Sequence, residues 1–121
     1  MMKKIILTVV VCSLSLLSTS AFSQTGFLQA KVTRTLIHDT LFGKCMARLD
    51  KMANTASNAP DCPSVWVTFS CDGTYNSKDI AYRKLDIAQK TEITDGEIII
   101  SVDDTKKHNG HCYVDRIESL K

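Results

Sequence analysis

The chain has 121 residues, of which 44% are hydrophobic and 23% charged, and 15 Lys+Arg against 13 Asp+Glu give a formal net charge of +2. A chain of this length holds one ordinary domain. Both charge signs are mixed along the sequence, so the composition excludes a polybasic binder, a disordered acidic tail and a multidomain enzyme. Five cysteines are the unusual feature of the composition.

The N-terminus has the pattern of a secretory signal peptide. Two lysines precede an uncharged apolar stretch, Ile5–Leu17, which is followed by small residues. Ala21 and Ser23 stand three residues and one residue before the predicted cut and are small enough for signal peptidase. The apolar stretch has 13 residues, whereas a membrane-spanning helix needs about 20. We therefore predict that residues 1–23 are removed on export.

The predicted mature chain begins at Gln24 and forms a single domain, residues 24–121. It has 13 Lys+Arg and 13 Asp+Glu, and it keeps four of the five cysteines. An even number of cysteines in a small exported domain is typical of two disulfides, and we expect a periplasmic or secreted protein. Three pairings are open to the four cysteines, which are Cys45, Cys62, Cys71 and Cys112. The absence of a Cys-x-x-Cys ligand pair argues against a thiolate zinc site.

Three strands are predicted in the first half of the mature chain. Alternating apolar and polar residues predict strand one over Phe27–Ile37. A polar break at His38-Asp39-Thr40 precedes a second extended segment, Phe42 to about Lys51. A loop with two prolines, Asn54–Pro63, leads into the clearest alternation, Ser64–Cys71, which is predicted as strand three.

One helix and two strands are predicted in the second half. Asn76 is expected to cap a helix over Asp79–Glu92. The helix residues expected to face the core are Ile80, Ala81, Leu85, Ile87 and Ala88. The β-branched segment Ile98–Val102 predicts strand four, a polar loop is expected over Asp103–Gly110, and Cys112–Ile117 is the last strand.

The order of these elements predicts the fold. Three strands, a helix and two strands are typical of an all-β domain with one helix, the OB-fold-like five-stranded Greek-key barrel. An open α+β sheet is the alternative. In the barrel, strand two is antiparallel to strand three, and strands three and five are parallel. These neighbours favour the disulfides Cys45–Cys71 and Cys62–Cys112 over the other two pairings.

A family resemblance rests on the stretch from Cys45 to Asp104. Its features are the Cys45 and Cys71 pair, Ala81-Tyr82 in the predicted helix, and the isoleucine-rich strand Glu97–Val102. In these features the chain resembles the B subunits of one-A-five-B bacterial toxins, in particular the subtilase-cytotoxin and pertussis-like B subunits. The resemblance implies an OB-fold, a homopentameric ring and recognition of host glycans. The second cysteine pair and the charged segment Asp103–Gly110 depart from that pattern.

Candidate binding residues follow from where OB-folds bind. Their ligands meet the loop between strands one and two, the loop between strands four and five, and the face of strands two and three. The residues predicted at those places are His38, Asp39, Trp66, Asp103, Lys106, Lys107, His108 and Asn109. Trp66 is either an exposed platform for a ligand or a side chain buried beneath the helix. The partner is expected to be a glycan or a protein, because a neutral mature chain lacks the basic groove that binds nucleic acid.

Catalytic chemistry is not indicated by the sequence. No Gly-x-Ser-x-Gly, phosphate-binding loop or spaced triad occurs. His108 and His111, together with Asp103 and Asp104, are secondary candidates for a metal site. A solvated hairpin turn at Asn109-Gly110 is the interpretation that we favour for that segment. We therefore expect no enzyme, no cofactor and no membrane insertion after leader cleavage.

Three hypotheses for function remain. The first is an exported, non-catalytic protein that resembles a toxin B subunit and binds a glycan or a protein through its barrel loops. The second is a periplasmic inhibitor or envelope-stress protein that captures a partner with the same loops. The third is a metal-binding or hydrolytic protein that uses the Asp103–His111 loop.

Overall fold

The computed structural model describes residues 25–55, 58 and 60–120. The predicted signal peptide, residues 1–23, lies outside the described residues. No helix in the described part of the chain is long and apolar enough to cross a membrane.

The described residues form a mostly β domain with one helix. Its strands are β1 (Thr25–Ala30), β2 (Val32–Ile37), β3 (Cys45–Leu49), β4 (Trp66–Thr68), β5 (Glu97–His108) and β6 (His111–Leu120), and its helix is α1 (Lys78–Thr94). Single turns at Phe42–Lys44 and Ala53–Thr55 flank β3. The order of strands and helix agrees with the predicted order, except that strand one is divided in two and strand three is shortened to β4.

All six described strands belong to one mixed sheet in the order β1-β5-β6-β4-β3-β2. β4 and β6 are parallel, and every other neighbouring pair is antiparallel. The predicted five-stranded barrel is not confirmed, because the sheet has six strands and its edges, β1 and β2, are not paired in the described ladder.

The division between β1 and β2 occurs at Lys31. The backbone N–H of Lys31 donates to Asp50 Oδ1 at 2.9 Å, and the N–H of Asp50 donates to the Lys31 carbonyl at 3.0 Å. On one side of Lys31, β1 pairs with β5, and on the other side β2 pairs with β3. The alternation survives the break, since Leu28, Ala30 and Val32 are all buried.

The helix begins at Lys78, one residue before the predicted start, but its N-cap lies one residue after the predicted cap. Ser77 is its N-cap and accepts a hydrogen bond from the Ile80 N–H at 3.2 Å, so the prediction of Asn76 as the cap was wrong. Ile80 was expected to face the core, but it is 45% exposed, and Lys84 is buried in the helix face instead. Ala81, Leu85 and Ala88 are buried as expected.

Lys84 is the buried cation of this helix face. Its ammonium group donates to Asn76 Oδ1, the Tyr113 hydroxyl and the Val114 carbonyl, each at 2.9 Å. Asn76 in turn donates through its side-chain amide to the carbonyls of Phe69 and Ser70. Burial lowers the pKa of Lys84, although Asp115 opposes the shift. The network joins the helix to β6 and to the segment that follows β4.

Two disulfides lie in the core. Cys45 is bonded to Cys71 and Cys62 to Cys112, and all four cysteines are buried. These are the two pairs that the strand order favoured in the sequence. The parallel β4–β6 pairing that was used to choose them is also present.

The predicted polar loop Asp103–Gly110 is wrong for residues 103–108, which belong to β5. The register between β5 and β6 shifts between Asp103 and Lys107, so this part of β5 is not regularly paired with β6. The turn itself is two residues long, Asn109 (φ 52°) and Gly110 (φ 85°). Positive φ at both positions is what a two-residue type I′ hairpin requires.

Candidate functional site

The segment between β2 and β3 ends in a left-handed turn. Phe42, Gly43 and Lys44 have φ values of 61°, 67° and 74°. Residues with a side chain take this conformation at a cost on the order of 1–3 kcal/mol each, and such residues cluster at functional sites. A strained turn of this kind persists when its surroundings fix it.

Hydrogen bonds from three parts of the chain fix the carbonyls of this turn. The Phe42 carbonyl accepts a hydrogen bond from the Thr68 hydroxyl at 2.7 Å. The Gly43 carbonyl accepts one from the N–H of Asp72 at 3.1 Å, and the Lys44 carbonyl accepts one from the N–H of His38 at 2.8 Å. The turn is therefore anchored to β4, to the segment after β4 and to the start of its own loop.

The tip of the β5–β6 hairpin contacts the same turn. Asn109 Oδ1 accepts a hydrogen bond from the Phe42 N–H at 2.7 Å. His108 lies so close to Gly43 that a Cβ on the glycine would be 2.5 Å from the imidazole Cδ2. We call these two contacting segments, residues 38–44 and 107–111, the loop cluster.

Three rings form a row across the loop cluster. The Phe42 ring is 5.6 Å from the His38 ring and 5.7 Å from the His111 ring, both in edge-on geometry. All three rings are half-buried. All three histidines of the sequence lie in the loop cluster, since His108 is the third.

Ser70, Asp72 and His108 form a hydrogen-bonded group beneath the loop cluster. The Ser70 hydroxyl is 3.0 Å from His108 Nε2 and donates to Asp72 Oδ1 at 2.8 Å, and the same Asp72 oxygen is 3.5 Å from that Nε2. In a catalytic triad the carboxylate meets the other ring nitrogen, and the serine is accessible. Here Ser70 is fully buried and also accepts from the Tyr75 N–H at 3.2 Å. These contacts are typical of a buried structural hydrogen-bond network and not of an accessible serine nucleophile.

Two groups near the loop cluster have shifted pKa values. Burial would raise the pKa of Asp72, but hydrogen bonds from Thr74 and Ser70, together with nearby His108, hold it below its ordinary value. Burial lowers the pKa of His111, and a hydrogen bond with the Trp66 backbone only partly opposes this effect. His111 Nδ1 is 3.0 Å from the Ser64 hydroxyl. At neutral pH His111 is therefore neutral, and Asp72, which lies against His108, is ionised.

Five of the eight predicted binding residues belong to the loop cluster, namely His38, Asp39, Lys107, His108 and Asn109. The other three are placed elsewhere. Trp66 is half-buried at the start of β4. Asp103 is buried, and its carboxylate accepts bonds from the Thr105 N–H and hydroxyl at 2.9 and 2.7 Å. Lys106 Nζ lies 5.9 Å from the centre of the Tyr113 ring.

The secondary metal candidates do not converge. His108 contacts Ser70 and Asp72, whereas His111 contacts Ser64. Among the described residues, no group of three or more His, Cys, Asp or Glu side chains is placed to hold a metal ion. This segment instead forms a hairpin turn at Asn109-Gly110.

Phe42 and Gly43 are site residues that the sequence analysis missed, because both fell within the predicted second strand. Gly43 was the available signal, since a glycine three residues after the polar break at His38-Asp39-Thr40 is compatible with a continued turn. Ser70 was likewise placed within predicted strand three. The alternation pattern indicates neither its positive φ of 57° nor its contact with His108, which is 38 residues away in the sequence.

No family model matches the sequence, and neither the curated proteins nor the solved structures include a significant match.

Proposed function

We propose that this protein is an exported, non-catalytic binding domain that recognises its ligand through the loop cluster. One observation carries the proposal. Two segments far apart in the sequence, 38–44 and 107–111, meet through the hydrogen bond from the Phe42 N–H to Asn109 and through the row of three rings. A rigid surface of this kind suits binding, because little conformational freedom is lost when the ligand arrives.

The strand order supports an OB-like arrangement. β1 and β2 are consecutive, separated by Lys31, and occupy the two ends of the sheet. Counted as one bent strand, they would give the five strands of a partly open OB barrel, with the helix between the third and fourth. In that arrangement the β2–β3 and β5–β6 loops are the ones that OB-folds use to hold ligands. The loop cluster consists of these two loops.

Export is supported by the leader-like N-terminus and by the two disulfides. The equal number of acidic and basic residues in the predicted mature chain favours recognition by shape and hydrogen bonding over attraction by net charge. A periplasmic or secreted location follows from this proposal.

The chemistry of the loop cluster favours a glycan ligand. Aromatic rings offer an apolar face to sugar C–H groups, and amide and imidazole groups bond to hydroxyls. The row His38, Phe42 and His111, next to the amide of Asn109, combines both kinds of group. The resemblance to toxin B subunits points to the same ligand class and to a homopentamer.

A protein partner is the second candidate, and a different observation favours it. Ile37 is 59% exposed and Leu41 is 44% exposed, on either side of His38 in the sequence. Exposed apolar side chains beside a binding loop are typical of protein interfaces. An inhibitor or envelope-stress protein would use this rim.

The test compares the mature protein with two variants on a printed glycan array. Phe42→Gly removes the central ring, and glycine accepts a φ of 61° without strain. Ile93→Ser removes an apolar side chain that is 83% exposed on α1, outside the loop cluster, and serves as the matched control. We expect glycan binding by the wild type and Ile93→Ser, and a loss of about 2 kcal/mol or more, roughly 30-fold, in Phe42→Gly.

A wild type that binds no printed glycan contradicts the glycan version. Pull-down from envelope extract with the same three proteins then tests the protein version, which requires one partner retained by the wild type and Ile93→Ser and lost by Phe42→Gly. If no ligand of either class depends on Phe42, the proposed site is wrong. Size-exclusion chromatography with light scattering tests the ring, and a monomer rules out the toxin-like pentamer.

A further inference from the structure

The His38 side chain holds the backbone of the β2–β3 loop. Its Nδ1 atom lies 3.1 Å from the Thr40 N–H nitrogen and 3.0 Å from that of Leu41, and it accepts a hydrogen bond from each. A ring nitrogen that accepts hydrogen bonds carries no proton, so the ring proton of neutral His38 is assigned to Nε2.

Protonation of His38 is incompatible with these two bonds. The imidazolium form carries a proton on both ring nitrogens and has no acceptor. Its Nδ1–H would then point at two backbone N–H donors. The segment Asp39–Leu41 would have to move, and Leu41 leads directly into the left-handed turn at Phe42–Lys44.

The charged and titratable groups around His38 come from two elements. On its own loop they are Asp39 beside it in the sequence and Lys44, whose carbonyl accepts the His38 N–H. On the hairpin they are His111, on the far side of the Phe42 ring, and His108, which packs against Gly43. This surface already holds the cations Lys44 and Lys107, and any positive charge added to it is repelled by them.

We propose that the loop cluster is an acid-sensitive element in which protonation of His38 releases the Asp39–Leu41 loop. Histidine is the side chain whose ordinary protonation range lies between about pH 5 and about pH 8. Where the proposed function also holds, the protein binds at neutral pH and releases its ligand on acidification. The loop movement itself does not depend on the ligand.

The experiment is an NMR titration of the mature protein from pH 7.5 to pH 5.0. Ring ¹⁵N shifts report the protonation of His38, and the amide ¹H shifts of Thr40 and Leu41 report their hydrogen bonds. We expect Nδ1 to be unprotonated at pH 7.5. We also expect both amide signals to move upfield on acidification with the same midpoint as the His38 ring.

His38→Asn is the matched variant. An asparagine side chain can place Oδ1 where the histidine holds Nδ1, so it can accept the same two backbone bonds, and it does not titrate. We expect the Thr40 and Leu41 amide signals of this variant to lack the step. Amide signals that do not follow the ring in the wild type, or a step that persists in His38→Asn, would overturn the proposal.

The glycan array of the preceding section, read at pH 7.5 and pH 5.0, separates this inference from the proposed function. We expect wild-type binding to weaken about tenfold or more between pH 7.5 and pH 5.0, within the usual range of coupling between two sites. His38→Asn removes one ring of the proposed site, so the quantity compared is the ratio of its own binding at the two pH values, and we expect that ratio to be smaller than in the wild type. An NMR step without any binding to the array supports the acid-sensitive loop and counts against the glycan ligand. Array binding with no NMR step does the reverse.

Discussion

Replacing Gly43 by alanine tests whether the two segments of the loop cluster are packed as closely as the structure indicates. Gly43 has a φ of +67°, and a Cβ there would lie 2.5 Å from His108 Cδ2 and 2.7 Å from Thr68 Oγ1. Both distances are below any normal carbon contact. The imidazole and the hydroxyl are themselves held, His108 by Ser70 and Thr68 by the Phe42 carbonyl.

The expected loss has two parts. The left-handed conformation costs a residue with a side chain about 1–2 kcal/mol. Forcing a methyl group into a filled space costs about 1–3 kcal/mol more, because neighbouring side chains must leave their preferred rotamers. We therefore expect Gly43→Ala to lower the free energy of unfolding by about 2–5 kcal/mol.

Gly110→Ala is the matched control. Gly110 also has a positive φ, +85°, but nothing lies within 4 Å of a Cβ built there. It should lose only the conformational part, about 1–2 kcal/mol. Urea unfolding followed by the fluorescence of the single tryptophan gives both values. Equal losses in the two variants would refute the close packing of Gly43 against the hairpin.

Two further predictions concern ionisable groups whose pKa is lowered by burial. Lys84→Met should lower the free energy of unfolding by about 1–3 kcal/mol, because three acceptors lose their donor. Lys90 is exposed, and Lys90→Met should change the free energy of unfolding by less than about 0.5 kcal/mol. Similar losses for the two variants in urea unfolding would contradict the role of the Lys84 network. Burial lowers the pKa of His111 in the folded protein, so the unfolded chain binds the proton more readily. The free energy of unfolding therefore decreases as the pH is lowered below about 6.5. His111→Gln should reduce that fall between pH 7.5 and pH 5, and parallel pH profiles would rule out this contribution.

Local patterns predicted the elements whose causes are local. Period-two alternation predicted strand one, and Leu28, Ala30 and Val32 on its apolar face are buried even though the strand is divided between them, because burial on one face is a property of the strand's pleat. The amphipathic helix was predicted within two residues at each end. Asn109-Gly110 was recognised as a turn because few residue pairs accept two positive φ values.

Contacts between distant residues decided what the sequence could not. The chain changes partner strands at Lys31 because Asp50, in another part of the sequence, bonds to its backbone. Lys84 is buried in a helix face because Asn76, Tyr113 and the Val114 carbonyl together accept its three N–H bonds. An alternation pattern contains no information about such partners.

The candidate site shows the same division. The sequence alone determined that His38 and Asp39 lie in one loop and that His108 and Asn109 lie near a hairpin turn. Only the tertiary structure decided that these segments meet at Phe42. The physical reason is that a strained turn becomes stable when distant donors fix its carbonyls, and the sheet order brings those donors together.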